Sequence, residues 1–102
     1  MNDQSLPDLR RRYRALDDRR RLGFELERIW ARIEAHPDWP DRPLPARKAL
    51  AEVRAVRATA PYPEIDRLDA DVRDRTRRLV VLAQALRALE TRAPLPDLTD
   101  VR

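Results

Sequence analysis

The residues of this sequence that could do chemistry are its arginines. Of the 22 basic residues, Lys48 is the single lysine and the others are arginine. A guanidinium presents several N–H donors in a planar fork that suits carboxylates and phosphates. This composition is therefore compatible with a site for an anionic ligand. A high-GC coding bias would give the same composition without a function, and both interpretations stay open.

Two arginines interrupt the apolar pattern of the predicted helices. Arg75 occupies a heptad core position between Leu68 and Leu82, and Arg20 continues an apolar stripe on the first helix. A buried guanidinium without an anion is costly, so each of these arginines should find one. The partners are either nearby Asp and Glu side chains or a bound dicarboxylate or phosphate, held by bidentate contacts.

The composition offers little support for other catalytic chemistry. The chain has no cysteine, its only histidine is His36, and its only serine is Ser5. A thiol nucleophile is thereby excluded, and a serine–histidine triad or a zinc site is disfavoured. One glycine cannot form a glycine-rich phosphate loop. We expect no cofactor and no metal, so an enzyme would act by positioning and electrostatic stabilisation.

The charge pattern disfavours nucleic acid and membranes as partners. Because 22 basic residues are set against 18 acidic ones, the net charge of +4 is typical of a salt-bridged helical surface. The arginines of the first helix surround it rather than forming one stripe. No segment approaches the roughly 20 apolar residues of a membrane span, and the N-terminus does not resemble a secretory signal. We therefore expect a soluble, cytoplasmic protein.

Prolines mark the ends of the elements that must position these arginines. The chain has nine prolines, and none falls inside a helical pattern. We predict one all-α domain over residues 1–102 in long–short–long order: helix 6–35, proline-rich loop 36–45, helix 46–59, helix 63–92 and loose tail 93–102. Trp39, in the loop, is expected to pack back on the bundle.

A short middle helix would leave part of the long helices uncovered. If the long helices form an antiparallel hairpin, residue 20 lies near residue 79, and the arginines within 19–21 and 75–78 meet at mid-bundle. The middle helix then covers half of the hairpin. Four apolar residues beside the heptad positions would need another partner: Val80, Val81, Ala83 and Ala85. We therefore expect a twofold homodimer.

The sequence also resembles an enzyme family. Residues 9–17 (LRRRYRALD) resemble the opening of the first helix of the AroQ-type, all-helical chorismate mutases, and the helix proportions are similar over nearly the whole chain. Arg47 and Lys48 open helix two where that family has Arg-Glu. Thr76 falls where the family has a serine or threonine that lines the pocket.

The resemblance implies a dimeric isomerase whose arginines hold the two carboxylates of chorismate. Arg10 would reach into the neighbouring subunit's pocket, whereas Arg47 and Thr76 would line the pocket of their own chain. The sequence departs from the family at other catalytic positions: the second arginine of helix one falls on Glu27, with Arg28 beside it. The candidates for binding the substrate are Arg20, Arg28 and Arg75.

Two classes of function therefore stay open, and so does the question of whether the protein is an enzyme. An isomerase of chorismate mutase type, or a relative acting on another anionic substrate, predicts a pocket with convergent arginines. A non-enzymatic dimerisation or protein-interaction module predicts instead that the mid-bundle arginines pair internally and that an exposed apolar stripe forms the interface.

Overall fold

A computed structural model describes residues 6–55 and 64–96 of the chain. These residues form three helices and no strand: α1 spans Leu6–Ala35, α2 spans Leu44–Arg54 and α3 spans Ile65–Thr91. The all-α, long–short–long prediction is confirmed. Within the described ranges, no helix has the length and apolar character needed to cross a membrane.

The ends of α2 and α3 differ from their predicted positions by a few residues. α2 begins at Leu44 rather than at 46, with proline in its first turn, where a missing N–H costs nothing. It ends at Arg54 because Ala55 is extended; residues 56–59 of the predicted helix lie outside the described residues. α3 ends where Arg92 takes the left-handed conformation, with φ 57°. Residues 97–102 of the predicted tail also lie outside the description.

The two long helices run parallel. Their contacts join residues whose numbers rise together along both helices: Arg11 with Asp69, Arg19 with Arg75, and Arg32 with Glu90. The antiparallel arrangement that the sequence analysis assumed was therefore wrong. The physical reason is that α2 runs back along α1, and α3 starts near the level where α1 began.

α2 runs antiparallel to both long helices and covers only part of them. Arg54, at its last turn, bonds to Glu27 of α1, and Arg78 of α3 bonds to the backbone of the same turn. We call the part covered by α2 the three-helix end. The remainder, α1 up to Gly23 and α3 up to Arg77, is the two-helix end.

The apolar core lies in the three-helix end. Its buried members are Leu26, Trp30, Ile33, Leu50, Val53, Val81, Leu82, Ala85, Leu86 and Leu89. Trp39 packs on this core as predicted, with its ring edge-on to Trp30 at 5.5 Å between centroids. The expectation that Val81 and Ala85 need an external partner was wrong, because α1 and α2 already bury them; Val80 and Ala83 are exposed.

The two-helix end buries little apolar surface. Among its described residues, only Ala15, Leu22 and Leu68 are buried apolar side chains. The predicted stripe containing Tyr13 and Arg20 does not face α3, since both side chains are exposed. α1 instead packs against α3 through the face that carries Ala15 and Leu22.

Candidate functional site

Arg75 crosses the seam between the two long helices. Its side chain is only 14% exposed, and its Nη1 donates a hydrogen bond to the backbone carbonyl of Arg19 at 2.9 Å. Gly23, the only glycine of the chain, makes this possible, because a Cβ there would lie 3.0 Å from Arg75 Nη1. A glycine inside a helix costs about 1 kcal/mol relative to alanine. At position 23 the helix is therefore less stable, but space is left for the Arg75 guanidinium.

Asp71 lies between two arginines in the same seam. Its Oδ2 is 3.8 Å from Arg19 Nη1 and 3.8 Å from Arg75 Nε, and the exposed fraction of each of these three side chains is 15% or less. Both distances exceed a hydrogen bond, and within the described part of the chain neither Asp71 Oδ2 nor Arg75 Nε has a hydrogen-bond partner. Asp71 and Arg75 are thus buried but only loosely paired with each other in this ionic cluster. Of the two arginines that broke the apolar pattern, Arg75 points inward and Arg20 points to solvent.

A second arginine fixes the end of α2. Arg78 Nη1 donates to the carbonyls of Glu52 at 3.0 Å and Val53 at 2.8 Å, and Arg78 Nε donates to Asp74 at 2.8 Å. Carbonyls in the last turn of a helix lack N–H donors within that helix, and a cation there also complements the helix dipole. Burial opposes ionisation of Asp74, but hydrogen bonds from Arg78 and Arg77 outweigh it and hold the pKa of Asp74 below its ordinary value.

The C-terminal end of α3 is tied down in the same way. Arg42, in the loop between α1 and α2, donates to the carbonyl of Ala93 at 2.7 Å. Sequence reasoning considered acidic side chains and ligands as partners for the arginines and missed these backbone carbonyls. The partners lie 51 and 25 residues away for Arg42 and Arg78, so no local sequence signal marks them.

A cleft of about 340 Å³ opens beside the Arg75 seam, at the end of α2. Its described lining consists of Gly23, Leu26, Glu27, Arg54, Ala55 and Arg75. The Arg54 guanidinium stacks over the Trp30 ring at 5.9 Å, and its Nη2 donates to Glu27 at 3.0 Å. The cleft therefore brings two guanidinium groups from different helices to one cavity.

Most of the predicted site residues lie elsewhere. Arg10 and Arg28 are exposed on α1, and Arg28 pairs with Glu25 on the same helix at 3.2 Å. Arg47 Nε donates to the carbonyl of Arg42 at 2.9 Å and so holds the loop.

The residues taken from the family resemblance do not form one pocket within the described part of a single protomer. The Thr76 hydroxyl donates to the carbonyl of Val72 in its own helix at 2.8 Å. From the helix register and a rise of 1.5 Å per residue, Arg10 and Thr76 lie about 12 Å apart along the bundle, and Arg47 lies roughly 20 Å further on. Of the six predicted residues, only Arg75 reaches the cleft.

A separate feature, which we call the open groove, runs between α1 and α3 on the side away from α2. Its ends are closed by the ion pairs Arg11–Asp69 and Arg32–Glu90, which share the same sequence offset. Between them the α1 wall carries Asp18 and Glu25, and the α3 wall carries Thr76 and Ala83, at seven-residue steps. Three apolar side chains along its floor are half-buried: Ile29, Val72 and Leu79.

The groove and the cleft lie on opposite sides of the α1–α3 pair. Glu25 of the groove and Glu27 of the cleft are two residues apart, which is about 200° around a helix. Ala83 of the groove and Arg78, which contacts α2, likewise lie on opposite sides of α3, since they are five residues apart. Neither α2 nor any other described segment covers the groove.

The sequence matches no family model, and no curated protein or solved structure proved similar to it. The resemblance to AroQ-type chorismate mutases therefore stays a prediction.

Proposed function

We propose that this protein is a self-associating helical module in which two copies pack along their open grooves. One observation carries the proposal: a line of half-buried apolar side chains, Ile29, Val72 and Leu79, follows the groove with no covering helix among the described residues. α2 covers the other side of the same helix pair. Covering apolar surface is the usual driving force for association, and the same face on two copies can cover itself around a twofold axis.

The charges around the groove support a second copy as the occupant. The α1 wall carries the carboxylates of Asp18 and Glu25, each paired with an exposed arginine of the same helix. The α3 surface beside the groove presents Val80, 51% exposed, with Arg73 and Arg87 seven residues to either side. An apolar centre with basic flanks complements an apolar floor with an acidic wall, so α3 of one copy fits the groove of the other.

Internal pairing of the mid-bundle arginines also supports an interaction module. Arg75 donates a hydrogen bond to the backbone of α1, and Arg78 donates hydrogen bonds to Asp74 and to the backbone of α2.

An activity of chorismate mutase type remains a prediction. Its test is incubation with chorismate while the near-ultraviolet absorbance of chorismate is followed, with Arg10→Ala and Arg47→Ala as the variants that should remove any turnover.

Sedimentation velocity tests the self-association directly. We expect the 12.0 kDa chain to sediment at twice its mass at about 100 µM and to dissociate on dilution. Ala83→Glu places a charge in the groove and should give a monomer with unchanged helical circular dichroism, because Ala83 is exposed in the single chain.

Ala31→Glu is the matched control. Ala31 is also an exposed alanine within a long helix, but it lies about 240° around α1 from Glu25 and so away from the groove. This variant should associate like the original chain. A wild-type protein that stays monomeric at about 100 µM, or equal weakening by both substitutions, would refute the proposal.

A further inference from the structure

The side of α1 that points away from α3 carries exposed apolar side chains in the two-helix end. Five large apolar residues are exposed in the described part of the chain, and three of them lie here: Leu6, Tyr13 and Phe24, at 62%, 69% and 63%. Their spacings of seven and eleven residues are close to two and three helical turns, so they share one face. Tyr13 and Phe24 are each two residues, about 200° around the helix, from the buried Ala15 and Leu22. The face therefore points to solvent.

Arginines without an ion pair lie on the same face. The exposed charged side chains near the three apolar residues that have no ion pair within the described ranges are Arg10, Arg14, Arg20 and Asp17. The neighbouring Arg11 and Arg21 already pair with aspartates, and Asp8 lies about 200° around the helix from Leu6. Three arginines against one aspartate leave two positive charges. We call these seven residues the outer face.

The outer face fits an acidic polypeptide better than a second copy or a lipid surface. Two copies joined through this face would bring arginines against arginines, which opposes association. An anionic bilayer would repel Asp17, and it would draw Arg20 toward the hydrocarbon between two apolar side chains, Tyr13 and Phe24. A carboxylate of a protein partner can instead pair with the Arg20 guanidinium through two parallel hydrogen bonds.

We propose that the outer face binds an amphipathic helix of a partner protein, with acidic residues beside its apolar ridge. The ridge packs on Leu6, Tyr13 and Phe24 while the acidic residues pair with the arginines. From Leu6 to Phe24 the face is about 27 Å long, which is the length of a helix of about 18 residues. Binding would bury apolar surface at the end of the molecule that buries least of it.

Two synthetic peptides serve as probes. The first is a fluorescein-labelled helical peptide of about 18 residues with leucine at heptad positions a and d and glutamate at e and g, where repulsion between glutamates opposes self-pairing. The second has lysine at e and g. In fluorescence anisotropy titrations, the glutamate peptide should bind saturably and about tenfold or more tightly than the lysine peptide. Tyr13→Ser and Phe24→Ser should each weaken it about tenfold, and Arg20→Gln about threefold.

Leu44→Ser and Arg92→Gln are the matched controls. Leu44 is a 51% exposed leucine of α2, and Arg92 is an exposed arginine just beyond α3. Both variants should bind the glutamate peptide like the wild type. Because every substituted side chain is exposed, all variants should keep the wild-type helical circular dichroism, so weaker binding does not report unfolding.

Three outcomes would overturn the proposal. They are equal binding of the two peptides, equal affinity in the outer-face and control variants, and binding to phosphatidylserine vesicles without binding to the glutamate peptide. The inference does not rest on self-association, and Ala83→Glu should bind the glutamate peptide as the wild type does. Failure of the sedimentation test and failure of the peptide test are therefore separate results.

Discussion

The two ends of the molecule are held together in different ways. In the three-helix end, ten buried apolar side chains from α1, α2 and α3 form one continuous core. In the two-helix end, the buried apolar set among the described residues is Ala15, Leu22 and Leu68, and next to it lies the ionic cluster of Asp71 with two arginines. The same pair of long helices therefore has an apolar interface over one half and a largely polar one over the other.

The difference follows from the number of helices that meet at each level. Three helices can enclose many large side chains, whereas a pair of helices has room for only a few, here Leu22 and Leu68 among the described residues. Arginine suits the second case because its stem packs against apolar neighbours while its head finds a polar partner. In this seam that partner is the Arg19 carbonyl, and the contact at Gly23 fixes which residues of α1 and α3 lie side by side.

Truncating one leucine in each end gives the largest expected contrast. Leu82 and Leu68 are both fully buried, so Leu82→Ala and Leu68→Ala remove the same atoms from equally buried positions. We expect Leu82→Ala to lower the free energy of unfolding by about 4 kcal/mol and Leu68→Ala by about 2 kcal/mol, because the two-helix end can close around the missing atoms more easily. Urea denaturation followed by circular dichroism measures both.

A second probe shows whether the two ends unfold separately. Trp30 and Trp39 both lie in the three-helix end, so their fluorescence reports on that end alone. In the Leu68→Ala variant, circular dichroism should begin to change at lower urea than the fluorescence does. Coincident transitions with equal losses for the two variants would mean that the ends are not energetically distinct.

Much of the difference between the two ends could be predicted from the sequence. The heptad spacing of Leu68, Leu82 and Leu89 predicted the inward face of α3, and those three residues are fully or almost fully buried. The same spacing singled out Arg75 as a polar residue at a core position, and Arg75 does point inward. Short-range periodicity determines these features, so they can be predicted from the sequence alone.

Features that depend on long-range geometry could not be predicted. The parallel direction of α1 and α3 follows from α2 running back along the bundle before α3 begins, and no periodicity within a helix encodes that arrangement. The cleft depends on it too, because Arg54 and Arg75 meet at one level only in this arrangement. The backbone partners of Arg42 and Arg78 went unnoticed because every residue offers a carbonyl.

A double-mutant cycle on Gly23 and Arg75 measures how far the polar seam stabilises its own end. In the wild-type chain, Gly23→Ala should gain little, because the gain in helix propensity is offset by contact with Arg75 Nη1 at 3.0 Å. In an Arg75→Met background, the same substitution should stabilise the protein by about 1 kcal/mol. The difference is a coupling energy of roughly 0.5–1 kcal/mol, measured by urea denaturation.

Additive effects in this cycle would contradict the seam as described. Gly23→Ala would then stabilise the protein equally in both backgrounds, and Arg75 would not need the space that glycine leaves. Arg77→Met is the control background, because Arg77 is a neighbouring arginine of α3 whose side chain is 67% exposed. Gly23→Ala and Arg77→Met should be additive, since the two side chains share no contact.

Asp74 lies where the two ends meet and gives the smallest expected effect, one that depends on pH. Its hydrogen bonds from Arg78 and Arg77 hold its pKa below the ordinary value, so ionised Asp74 stabilises the folded state above the unfolded pKa of about 3.9. That contribution is lost as the pH falls through the lower, folded pKa. Because the side chain is 36% exposed, we expect only about 0.5 kcal/mol between wild type and Asp74→Asn at pH 7.

Urea denaturation at pH 7 and at about pH 3 separates this ionic contribution from a purely steric one. The difference between wild type and Asp74→Asn should shrink toward zero at the lower pH, because the wild-type carboxyl is then increasingly protonated. In an Arg78→Met background the difference should already be smaller at pH 7, since that substitution removes the 2.8 Å hydrogen bond from Arg78 Nε. A difference that stayed constant, or grew, as the pH fell would show that Arg78 joins α2 to α3 through the carbonyls alone, without help from the Asp74 charge.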